Sequence, residues 1–147
     1  RLVYHLTRFG VRAKVLEDAQ YFQRYGNYNH RSPSSGKGGH YENSKRTLVV
    51  RDSCWNEDTI RHECGHAIDS MLGSQAGIGF NEISTSLWHG FQSQRSGFVS
   101  HYASTHPKEY LAVSIEVFFS SGEVNLRRLD PGMHAFLTAL FDLSILD

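Results

Sequence analysis

The sequence predicts an α+β fold, and three observations carry that expectation. Strand-like patterns fall in the first third of the chain, helical patterns fill most of the rest, and 147 residues suit one domain with a real core. A composition of 39% apolar and 20% charged residues is that of a globular protein and excludes disordered, collagen-like and disulfide-framed classes. No apolar run approaches the ~18 residues a membrane span requires. The opening Arg-Leu-Val-Tyr-His is neither a signal peptide nor a lipidation motif.

Each element has its own signal. Leu2, His5, Leu6 and Phe9 recur at helical spacing, and Gly10 is a natural stop. Val11 to Leu16 alternates apolar residues with Arg and Lys, as a half-buried strand does. Residues 26–40, rich in Gly, Ser and Asn, read as a loop. Thr47 to Val50 reads as a short strand, with a possible partner from Tyr41 across a turn at Asn43-Ser44. A helix from Glu57 to Leu72 is the best defined: Asn56 is a candidate N-cap, two acids follow in the first turn, and Gly73 is the expected end. Asn81 to Phe91 gives a second helical pattern in this half, and Pro107 opens a third that runs to Phe119. Asp130-Pro131 starts a fourth, with Phe136, Leu137, Leu140 and Phe141 on its apolar face. There is no internal repeat.

Net charge is zero but unevenly spread, +7 over residues 1–51 and −7 over residues 52–147. The basic residues form no Lys/Arg block longer than a pair, which argues against a nucleic-acid surface. Cys54 precedes the helix and Cys64 lies two turns inside it, ~10 Å or more away at 1.5 Å per residue, so two free thiols are expected.

Residues 62–66 are His-Glu-Cys-Gly-His, a His-Glu-x-x-His pattern inside the best-defined helix. Residues four apart on a helix are only ~40° apart around its axis, so His62 and His66 can present ring nitrogens to one metal ion. Glu63 lies ~100° round from His62, placed to reach a water on that ion rather than to ligate it. Zinc lowers the pKa of such a water and a glutamate can take its proton, which is the chemistry of metal-assisted hydrolysis. Gly65 costs about 1 kcal/mol relative to Ala in mid-helix, so a close neighbour is expected there. Cys64 is expected to pack as a small apolar residue.

A catalytic zinc wants a third protein ligand and one open position. Asp69, Glu82, Glu109, Glu116 and the remaining histidines are the candidates. Asp69 shares the face of His62 but lies a turn further on, which suits orientation of an imidazole or simply a polar residue near the helix end. Glu109 and Glu116 are seven apart on one helical face, ~10 Å along the axis, so only one of them can ligate the ion. Spacing does not choose between them.

His62-Glu63-Cys64-Gly65-His66-Ala67-Ile68-Asp69, with Tyr102-Ala103-Ser104 and Pro107-Lys108-Glu109-Tyr110-Leu111-Ala112, resembles the catalytic domain of anthrax lethal factor and the related secreted Pro-Pro endopeptidases. The resemblance is most specific over residues 60–70 and 98–112 and extends loosely over 38–140, taken as the motif-bearing core of one catalytic domain spanning 1–147. It implies a zincin-like fold and a gluzincin zinc endopeptidase with one Zn2+ per chain. It also implies Glu109 as third ligand, because Tyr102 stands seven residues before it, and Tyr102 as the donor to the oxyanion. It implies a protein or peptide substrate lying along an edge strand, for which Thr47 to Val50 is the expected segment. A bacterial toxin or effector, secreted or delivered into a target cell, is the family context. The sequence departs from the family at Val113, where relatives often carry an acid, and Glu116 is an extra acid on the same face that is either an alternative ligand or a supporting group. The competing readings are a zinc hydrolase of another amide, such as a cell-wall peptide, and a metal-stabilised binding module without turnover. Oligomeric state and cleavage specificity have no signal in the sequence. His101 and His106 flank the Tyr102 segment as candidate substrate contacts, whereas Trp88, Tyr110, Phe118 and Phe119 read as core.

Overall fold

A computed structural model describes residues 2–25 and 38–146. Within it the chain alternates short strands with helices in the order α1 (Leu2–Phe9), β1 (Arg12–Leu16), α2 (Asp18–Arg24), β2 (Gly39–Glu42), β3 (Thr47–Arg51), α3 (Glu57–Gln75), α4 (Glu82–Gly90), α5 (Pro107–Phe118), α6 (Glu123–Leu129) and α7 (Pro131–Leu146). This is the expected α+β class, a small sheet followed by a helical half. Most of the expected loop, residues 26–37, lies outside the described residues, but its end, Gly39-His40, is strand.

The sheet has the order β1-β3-β2. β3 pairs parallel with β1 (Arg12 opposite Thr47) and antiparallel with β2 (Gly39 opposite Val50). Thr47 to Val50 is therefore the central strand, not the expected edge. Leu48, Val49 and Val50 are buried because neighbours cover the strand. The edge is β2, joined to β3 through a 3-10 turn at Asn43–Lys45 and a left-handed Arg46. β1 is the other edge and is mostly exposed rather than half-buried.

α3 begins as expected: the Asn56 side chain accepts from the Thr59 backbone N–H. It runs past Gly73, which is buried with the Gly79 carbonyl 2.9 Å from where a β-carbon would stand. The end comes at Gly77, whose φ of +70° sets up the paired bonds Gly77 N–H to Ser74 O and Ile78 N–H to Gly73 O. This is a Schellman cap, and it needs a residue tolerant of left-handed φ.

The core sits between α3, α5 and α7, with Ile68 and Met71 against Leu111 and Ile115, and Met133 and Leu137 beneath them. α4 is tied in through Asp69, whose two carboxylate oxygens accept from the backbone N–H and hydroxyl of Ser84. α7 is tied in through Asp130, which caps it by accepting from Met133 N–H and also receives the Tyr110 hydroxyl. Phe119, expected in the core, is 44% exposed. Cys54 and Cys64 are both free, as expected. Among the described residues no helix is long and apolar enough to cross a membrane.

Candidate functional site

The site is made by two antiparallel helices forced into close contact. A β-carbon on Gly65 would stand 2.7 Å from the Cα of Ala112, so only glycine lets α3 and α5 meet at this point. That is the close neighbour the mid-helix glycine predicted. Within a turn of the contact, on both sides of it, the helices bring their polar side chains together.

His62 Nε2 lies 2.9 Å from Glu109 Oε2, and His66 Nε2 lies 3.5 Å from the same oxygen. The ligand atoms of His62, His66 and Glu109 all fall within 4.8 Å of one another. On its other side, His62 presents Nδ1 to Glu116 Oε2 at 3.1 Å. A carboxylate on Nδ1 holds the proton there and turns the Nε2 lone pair inward. Glu116 thus stands on the outer side of the imidazole while Glu109 stands on the inner side.

His62 lies within ion-pair distance of both carboxylates. Burial works against a charged His62, but hydrogen bonds to Glu109 and Glu116 outweigh it and push the imidazole up to about 9. Burial likewise opposes a charged Glu109, yet His62 and His66 hold its carboxyl well below the usual carboxylate range. Two imidazoles and a carboxylate converging in this way fit zinc or a similar divalent ion.

Glu63 is buried, 6% exposed, and its Oε2 has no hydrogen-bond partner among the described residues. Burial raises its pKa, partly offset by His66 and His62. A buried carboxylate oxygen without a partner is costly to a fold and calls for an explanation in function. Tyr102 sits in a short 3-10 turn just before α5, with its ring stacked on His62 at 5.6 Å between centroids. Burial and the Glu109 carboxylate raise its pKa, which keeps the phenol protonated and able to donate.

Above these groups opens a cavity of about 660 Å³. Its floor is His62, Glu63, His66 and Glu109. Edge strand β2 forms one wall with Gly39, His40 and Tyr41, and Phe80 and Lys108 also face the space. His40 is held by Tyr21 from α2 and by Glu42, at 2.7 and 3.3 Å. The β2 wall residues carried no site signal in the sequence, since their position depends on sheet order and on α2.

Several candidates lie elsewhere. Both oxygens of Asp69 are engaged by Ser84, so it docks α4 rather than orienting an imidazole or ligating. Glu82 is exposed on α4 and outside the cavity. His106 caps α5, accepting from Lys108 N–H, and neither it nor the exposed His101 lines the cavity. Cys64 packs against the core, where burial pushes its thiol up to about 11.

Fold and donor cluster together define the architecture: an α+β domain in which two histidines and a glutamate converge beside a buried glutamate. A solved structure that shares the fold is the Pro-Pro endopeptidase PPEP-2 from Paenibacillus alvei, at a TM-score of 0.64 over 95% of this chain and 82% of that chain. Sequence identity is 19%, so the likeness is one of fold. No protein-family model and no curated protein matches the sequence.

Proposed function

We infer that the chain is a zinc-dependent endopeptidase domain. The observation that carries this reading is the convergence of His62, His66 and Glu109 within 4.8 Å beside the buried, unpartnered carboxylate oxygen of Glu63. One Zn2+ held by those three side chains would polarise the scissile carbonyl and lower the pKa of an attacking water. Glu63 takes a proton from that water as oxygen adds to the carbonyl carbon. It then gives the proton to the amine as the C–N bond breaks. Tyr102 donates to the oxygen that becomes negative. Glu116 keeps His62 in the tautomer with Nε2 unprotonated. The substrate is a peptide laid in the cavity alongside β2, whose outer edge is unpaired among the described residues.

The neighbouring fold is a Pro-Pro endopeptidase, which makes proline-bearing peptides the first substrates to try. The resemblance of the motifs to lethal factor and the Pro-Pro endopeptidases supports a secreted or injected bacterial toxin or effector as the setting. The test is mass spectrometry of a diverse peptide library incubated with the zinc-loaded protein, with Glu63→Ala as control. Cleavage by the wild type alone supports the reading. Zinc bound without cleavage of any peptide would replace it with a metal-stabilised binding module.

A further inference from the structure

The cavity is electrically polar along its length. α3 and α5 run antiparallel, with His62 opposite Glu116, Gly65 opposite Ala112 and His66 opposite Glu109. β2 runs in the same direction as α3: a β-carbon at Gly38 would lie 3.5 Å from Thr59, and Asn43, just past β2, bonds Ser70. One end of the cavity therefore carries Asp58 and Glu116. The opposite end carries Lys108, with Tyr41 and Phe80.

Lys108 is the one lysine or arginine lining the cavity among the described residues, and no ion pair or side-chain hydrogen bond engages its ammonium there. It sits in the first turn of α5, where the positive end of the helix dipole disfavours a cation. Glu116, on the same helix, is committed to His62. A cation that breaks the local rule, is free of partners and faces the reaction space has an anionic partner yet to arrive.

We propose that Lys108 is a specificity-determining residue that selects an acidic side chain on one flank of the scissile bond. This rests on the endopeptidase reading and adds the substrate class to it. The carboxylate of a substrate Asp or Glu pairs with the Lys108 ammonium, while the same side chain turned to the other flank meets Asp58 and is repelled. Polarity thus sets the direction in which an acidic peptide is accepted as well as its composition.

The test uses peptides identical except for Glu, Gln or Lys at each position around the bond. They are followed both by cleavage with the zinc-loaded protein and by retention on immobilised Glu63→Ala protein. The wild type should favour Glu over Lys on one flank only, by roughly three- to tenfold. Lys108→Gln should abolish that ratio and Lys108→Glu should invert it. A ratio that does not change in either variant overturns the proposal while leaving the endopeptidase reading intact. A retention ratio that inverts in a protein cleaving no peptide supports the role of Lys108 and overturns the endopeptidase reading. Retention and cleavage of no peptide overturn both.

Discussion

The buried polar groups of α3 and α5 fall into two clusters, only a turn apart, and the two are bonded differently. In one, Asp69 takes two bonds from Ser84, and Asp130 receives Tyr110 on one oxygen and Met133 N–H on the other. Both carboxylates are bonded through each of their oxygens, so the cluster holds α4 and α7 in place. In the other, a single oxygen of Glu109 faces both His62 and His66, and Glu63 keeps an oxygen without a partner among the described residues. That cluster spends stability on lone pairs pointing at one spot. Neighbouring residues on each helix, Glu109 and Tyr110 on α5, belong to opposite clusters. Burial and charge alone do not separate the two sets of carboxylates; the completeness of their bonding does.

Substitutions should separate the clusters. On the proposed mechanism Tyr102→Phe would remove a donor to the reacting oxygen, and kcat should fall about 10²–10³-fold with thermal stability and zinc content unchanged. An equal loss of zinc would instead make Tyr102 a support for His62. Asp69→Ala should do the reverse, costing about 2–3 kcal/mol in urea unfolding because it strands the Ser84 N–H, without changing zinc stoichiometry. Loss of zinc from Asp69→Ala would join the two clusters into one network.

A smaller effect should appear with pH in the metal-free protein. The His62 imidazole is raised from 6.5 to about 9, so its contribution to stability is complete below 6.5 and is lost as pH rises through 9. Urea unfolding of chelated protein should show a decline across that window, on the order of 2 kcal/mol. Zinc, which requires a neutral imidazole, should flatten the profile. A decline that survives saturating zinc would place the titrating group outside the cluster.

The unsatisfied cluster was the more legible in sequence. His62, Glu63 and His66 lie within five residues on one well-capped helix, so local geometry suffices. Glu109 came only through its resemblance-based spacing from Tyr102, and Glu116 stayed ambiguous because its bond to His62 crosses two helices. The Asp69–Ser84 bond is equally tertiary, so the sequence left Asp69 open between a support for the site and a polar residue near the helix end. β3 was misread as an edge, although its continuous Leu48-Val49-Val50 run is a mark of a strand covered on both faces. α2 and α6 are seven residues each, too short for periodicity to declare. α6 still carried a charge signal, Glu123 in its first turn and Arg127-Arg128 in its last. The cavity wall at β2 follows from strand order, which no local pattern encodes.

The measurement closest to the central claim is zinc titration of the protein beside Glu109→Gln and Asp69→Asn, read as bound metal and as thermal shift. The account predicts one zinc per chain in wild type and Asp69→Asn, with stabilisation of about 2.7 kcal/mol at a hundredfold excess over Kd. Glu109→Gln should lose most of that shift. Equal zinc uptake by wild type and Glu109→Gln would contradict the assignment of this cluster as the metal site.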